Sequence, residues 1–177
     1  MVVHGCIDGF SRLPVYLKCC DNNLSTTVLE IFKEGVSVYG LPKRIRCDLG
    51  GENVKVAEFM LLKRGVNNKA VITGRSVHNQ RIERLWRDVF KGCLSRFHSL
   101  FYKIESNVYS FKFDINNEFD VCCLKYFFLP IVNKCLDQWR EAWLHHKLRT
   151  TKMTPIQMFN DSLKDVSDVM KLNKFYL

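Results

Sequence analysis

No apolar run in these 177 residues is long enough to cross a bilayer: the densest, Tyr126 to Val132, is short and interrupted by Pro130. No membrane partner is expected. The opening "MVVHGCIDGF" has neither a basic n-region nor a long apolar h-region, which excludes a secretory signal and sets the expectation of an intracellular protein. The eight cysteines contain two adjacent pairs, Cys19–Cys20 and Cys122–Cys123, and no CxxC, so neither a zinc ribbon nor a disulfide framework is indicated; reduced, mostly buried thiols are. His78, His98, His145 and His146 fall into no metal-binding spacing. There is no GxxxxGK[ST], which excludes a P-loop, and Gly50 with Gly51 reads as a tight turn rather than a phosphate cradle; no small-molecule cofactor is expected. Internal repeats, low-complexity tracts and Pro/Gly/Ser linkers are also missing, and one domain is expected. Acidic residues are few beside basic ones, 18 against 27, for a net charge of +9 and a pI near 9.2. That balance favours a polyanion such as nucleic acid as partner, with plain solubility as the alternative.

What is present has an α/β order. "VVHGCID" and "LPVYLKCC" are β-rich and flank the turn-like "GFSR", an antiparallel hairpin whose second strand, carrying Pro14, belongs at a sheet edge. Between Ser25 and Tyr39 the apolar residues Val28, Ile31, Phe32, Val36 and Tyr39 recur at helical spacing, with Thr27 and Glu30 fitting a capping box and Gly40 and Pro42 ending the helix. "RIRCD" is a short strand, "VKVAEFMLLKRG" a helix ending at Gly65, and "AVIT" another strand. The order predicts a mixed sheet flanked by helices.

A helix from Asn79 to about His98 follows. At about 100° per residue, Ile82, Trp86, Val89, Phe90, Cys93 and Phe97 share a core face, and Glu83 lies where that face meets a ridge of Arg84, Arg87 and Lys91. A carboxylate there can hold a metal while its neighbours hold phosphates; equally, Glu83 and Arg87 have the spacing of an i,i+4 solvent pair. Asp48 ends the "RIRCD" strand. Two carboxylates at the ends of regular elements are what a divalent-metal site for phosphodiester chemistry needs. Glu52, four residues after Asp48, reads as a solvent-facing acid near a helix start. Trp139 and Trp143 read as a helix-packing stripe.

These residues resemble the integrase core domain of retroviruses, retrotransposons and related DNA transposons. "RCDLGGEN" is similar to that family's second-carboxylate motif and "HNQRIERLWRD" to its third-carboxylate helix, with 34 residues between Asp48 and Glu83, one fewer than the usual spacing. "WLHHKLRTTKMTPIQMF" is similar to the segment that closes many such cores, with His145, Thr154 and Pro155 in register. The resemblance implies a ribonuclease H-like fold and two-metal phosphoryl transfer on DNA with Mg²⁺ or Mn²⁺, held by Asp48 and Glu83, with Arg84, Arg87 and Lys91 on the nucleic acid. It implies a nuclear location, and division into a core, residues 1–105, and a helical extension with closing segment, residues 106–177.

The family's first catalytic Asp lies on a first, central strand, and the resemblance starts this chain at the second. Two unpaired strand edges are then expected, and Asp48 with Glu83 alone would not assemble a metal pair. Asp8, at the hairpin, is expected to form the turn rather than replace that first Asp. The region Val121 to Leu136 is expected to be a buried helical hairpin broken or kinked at Pro130, with an oligomer surface on the extension. Two functions stay open: a DNA-joining or DNA-cutting core, incomplete for catalysis as it stands, and a non-catalytic domesticated nucleic-acid-binding or assembly module.

Overall fold

The computed structural model describes residues 1–74, 79–106, 113–164 and 174–176. The hairpin is formed by β1 (Val2–Asp8) and β2 (Pro14–Cys20), antiparallel, with a bulge between Cys6 and Ile7. Asp8 makes the turn. Its Oδ2 accepts the backbone N–H groups of Phe10 and Ser11, at 3.2 and 2.7 Å, and the Ser11 hydroxyl at 2.7 Å, while Arg12 takes the left-handed conformation that closes the reversal. Helix α1 (Ser25–Tyr39) buries Val28, Ile31 and Phe32 and stops at Gly40, whose φ of 82° only glycine adopts cheaply. Its start differs from the expected capping box. The helix begins two residues before Thr27, and the Asn22 carboxamide oxygen instead accepts from the Leu24 N–H and the Thr27 hydroxyl.

Strand β3 (Arg44–Cys47), helix α2 (Val54–Arg64) and strand β4 (Val71–Thr73) follow as expected. A sheet then assembles in the order β2-β1-β5-β3-β4, where β5 is Lys174–Tyr176. This corrects the expectation of two open edges. β5 lies in the central position, antiparallel to β1 through Ile7 and Asp8 and parallel to β3 through Arg44, Ile45 and Arg46. The region expected to be a helical extension therefore returns a strand to the middle of the core. Its residues alternate as a strand requires: Phe175 joins Cys6 and Ile45 in the core beneath α1 and α2, and Tyr176 joins Ile7 in the core on the opposite face.

Pro14 is on an edge strand, as expected. That edge is not bare, because Asn133 reaches it from helix α5 (Glu118–Leu144): its Oδ1 accepts the Cys19 N–H and its Nδ2 donates to the Cys19 carbonyl, both at 2.9 Å. One carboxamide thus imitates one residue of a neighbouring strand and blunts the edge.

The second face of the sheet is covered by α3 (Gln80–Val89), a π turn (Phe90–Leu94) and α4 (Ser95–Glu105), which extend the expected helix to Glu105. Ile82, Val89, Cys93 and Phe97 are buried as periodicity predicts, together with Leu85, but Phe90 is 45% exposed. The π turn adds one residue per turn exactly where Phe90 begins it, and lets Cys93 and Phe97 stay on the core side. Helix α5 also departs from expectation. It is one helix rather than a buried hairpin, with Phe119, Tyr126, Phe127 and Ile131 exposed and Val132 and Leu136 buried. Pro130 is on its solvent side, where water can replace the bond its ring removes, and Asn133, the other turn-prone residue there, is engaged by Cys19. Trp139 and Trp143 stack at 5.0 Å and pack inward, the latter donating its indole N–H to the Arg12 carbonyl. Helix α6 (Pro155–Lys164) opens with a reciprocal cap between Thr154 and Gln157. No described helix is long and apolar enough to cross a membrane.

Candidate functional site

Asp48 stands one residue beyond β3, half-buried, at the mouth of the "LGGEN" turn. Its Oδ1 accepts the Gly50 N–H at 3.2 Å and the Asn53 side-chain amide at 3.0 Å, which orients the carboxylate and ties the strand end to the start of α2. Glu52 folds its carboxylate over Gly50, where a Cβ would collide with it. Burial, then the charges of Asp48 and Glu52, push the Cys47 thiol up to about 11, which keeps it protonated at neutral pH. Along β3, Ile45 points to the α1–α2 core. By alternation Arg46 and Asp48 point to the other face, the one that α3 covers.

Helix α3 can lie close to that face because β1 carries Gly5. A side chain there would come within 2.6 Å of the Trp86 ring. At the other end of the helix the Arg81 guanidinium donates to the Gly9 carbonyl and covers the Tyr176 ring at 5.3 Å. α3 therefore runs from the hairpin turn toward Gly5. Continuing the registers β1–β5 and β3–β5 by two residues puts Gly5 and Asp48 in one row of the sheet, two strand spacings or about 10 Å apart. Gly92 meets Trp139 of α5. Glu83 lies on the exposed flank of α3, off the stripe of buried Ile82, Leu85 and Val89.

On that flank an open concavity of about 390 Å³ is lined by Glu83, Trp86, Arg87, Phe90, Lys91 and Leu94. It brings together three of the five expected residues: Glu83, Arg87 and Lys91. Asp48 and Arg84 do not line it. Glu83 is exposed, and among the described residues no ion pair joins it to Arg87, so the solvent-pair reading of those two has no support in the geometry.

Arg84 has company that sequence reasoning missed. The Arg12 guanidinium is held below its ordinary range, first by burial and then by the positive charge of Arg81, with Arg84 adding to the effect and Asp8 opposing it. Three arginines from the hairpin turn and α3 thus share one neighbourhood. No local signal links position 12 to positions 81 and 84; only the seating of α3 on β1 does.

Asp8 is a different case. It is fully buried, with Oδ2 committed to the turn, and it lies in the row of Phe175 and Ile45, three residues along the strand from Asp48 and two strands away, a separation of about 14 Å. It cannot share an ion with Asp48. Among the described residues no group of three His, Cys, Asp or Glu side chains could hold a metal ion. His78 lies outside the described residues; His98 meets the Phe90 ring edge to face and His145 pairs with Glu141 at the surface. All eight thiols are free, with Cys6, Cys19, Cys47 and Cys93 buried.

Residues 1–171 match a family model described as the integrase core domain. No curated protein and no solved structure matches the chain.

Proposed function

The chain belongs to the integrase core domain family, and from that premise we propose that it is a DNA-binding core related to the polynucleotidyl transferases that integrate DNA. The observation that carries the reading is the concavity on α3, where Glu83 is flanked by Arg87 and Lys91, by the half-buried ring of Trp86 and by the exposed ring of Phe90. Guanidinium and ammonium groups on a helix ridge engage backbone phosphates, which bind DNA with little sequence preference. Arg84, beside Arg12 and Arg81, extends the positive surface toward the hairpin turn.

Asp48 and Glu83 offer the hard oxygen donors that Mg²⁺ or Mn²⁺ takes. They do not fit a two-ion centre by themselves, because Asp48 stands outside the concavity that Glu83 lines and no group of three such donors occurs among the described residues. The chain is accordingly read as a binding core, whose strand-transfer chemistry would need a further carboxylate beside Asp48. Self-association through the exposed Phe119, Tyr126, Phe127 and Ile131 of α5, and action in the nucleus, belong to the same proposal.

The test is fluorescence anisotropy with a labelled duplex of arbitrary sequence over a salt series. Affinity should fall steeply with salt, and replacing Arg84, Arg87 and Lys91 together by Ala should flatten the log–log slope by up to about 2.7, from roughly 0.9 per phosphate contact. Glu83→Gln should leave binding intact. Undetectable binding at low salt, or a slope unchanged in the triple variant, would sink the proposal.

A further inference from the structure

Cys93 is buried in the π turn, and Cys135 is half-buried on α5. Their sulfurs are 2.7 Å apart, well inside ordinary nonbonded separation and about 0.7 Å beyond the length of a disulfide bond. The approach is built into the two helices. Gly92 lacks the side chain that would strike the Trp139 indole, so α5 lies tight against the π turn, with Gly92 on Trp139 and Cys93 on Cys135 one turn away. Two thiols from elements far apart in sequence are thereby held facing each other inside one core.

We propose that Cys93 and Cys135 are a reversible modification site, which forms an intramolecular disulfide by exchange with a small-molecule disulfide and staples the π turn to α5. Cys135, the more accessible thiol, loses its proton to solvent and attacks the small disulfide, releasing one thiolate. Cys93 then attacks the Cys135 sulfur of the mixed disulfide, and its proton goes with the second departing thiolate. The sum is two protein thiols and one small disulfide converted to one protein disulfide and two small thiols. The order follows from accessibility: Cys93 is fully buried, out of reach of a small disulfide in solvent, and its thiol is raised by burial and by its hydrogen bond to Cys135, whereas Cys135 is half-buried, so Cys93 enters only at the second, intramolecular step. The π turn also supplies Phe90, Lys91 and Leu94 to the concavity that contains Glu83, so the staple would fix one wall of it.

Cys19, in the same core, is the competing partner, and Cys122 is the exposed thiol that reports non-specific oxidation. The folded chain is incubated with oxidised glutathione and digested with trypsin. The expected product is the peptide GCLSR joined to CLDQWR, lighter by two hydrogens than the separate pair, released by dithiothreitol, retained in Cys19→Ser and Cys122→Ser, and absent in Cys135→Ser. Cys93→Ser is buried and can fail to fold, so half-buried Cys135→Ser, checked by circular dichroism, carries the comparison. A glutathione adduct that persists on Cys135, a cross-link shared with Cys19 or Cys122, or two thiols that stay free would each overturn the proposal.

Discussion

Replacing Phe175 by Ala tests whether the C-terminal segment is the keystone of the sheet. Phe175 is fully buried in the α1–α2 core, on a strand joined to β1 at two positions and to β3 at three. A buried Phe contributes about 150–250 Å² of surface, which at about 25 cal/mol per Å² is roughly 4–6 kcal/mol. Truncations of Phe to Ala in cores cost about 3–5 kcal/mol, cavity included. An expected loss of about 4 kcal/mol is a large part of the roughly 5–15 kcal/mol that holds a domain together. In urea denaturation followed by tryptophan fluorescence, with a slope of about 2 kcal/mol per molar, the midpoint should fall by about 2 M. The amides of Ile7 and of Arg44 to Arg46 should lose hydrogen-exchange protection at the same time. Phe90→Ala, at a 45% exposed position, is the control and should cost less than about 1 kcal/mol. A loss below about 1 kcal/mol in Phe175→Ala would mean that this strand does not occupy the centre of the sheet, and the argument for a completed sheet would fail.

Gly5→Ala should drive the Trp86 ring outward from β1, costing about 1–3 kcal/mol and altering the near-ultraviolet circular dichroism; an unchanged spectrum and stability would contradict the close seating of α3. Asn133→Ala removes both hydrogen bonds to Cys19 and should cost about 1–3 kcal/mol in thermal or chemical unfolding, with Asn133→Asp no better because it cannot donate to the carbonyl. Alkaline titration should also weaken the fold. Cys19 and Cys47 are pushed up by burial to about 11 from 9.0, so their contribution is complete below the unfolded value and is lost as pH rises from about 9 through 11, at roughly 2 kcal/mol for each. A flat stability profile across that window would refute it.

The order of elements and one face of most of them were decided by the sequence alone, because period-2 and period-3.6 patterns and the glycines that end helices are local properties. Val28, Ile31 and Phe32 on α1, Ile82, Val89 and Cys93 along the third helix, and the turn role of Asp8 are of that kind. So is the family, because each of the stretches that carry the resemblance, Arg46 to Asn53 and His78 to Asp88, is continuous in the chain. Tertiary structure decided what depends on partners distant in sequence. β5 is three residues long, too short to carry a pattern, and only the open edges of β1 and β3 make it a strand. Phe90 belongs to the core stripe by periodicity and leaves it because the π turn re-phases the helix. The hydrophobic centre of α5 reads as buried, but β2 and the π turn cover only one side of it, leaving Tyr126 and Phe127 in solvent. Arg12 is brought to Arg81 and Arg84, and Cys93 to Cys135, for a common reason: glycines at positions 5 and 92 let helices approach a strand and each other closely, and a missing side chain announces a contact without naming its partner.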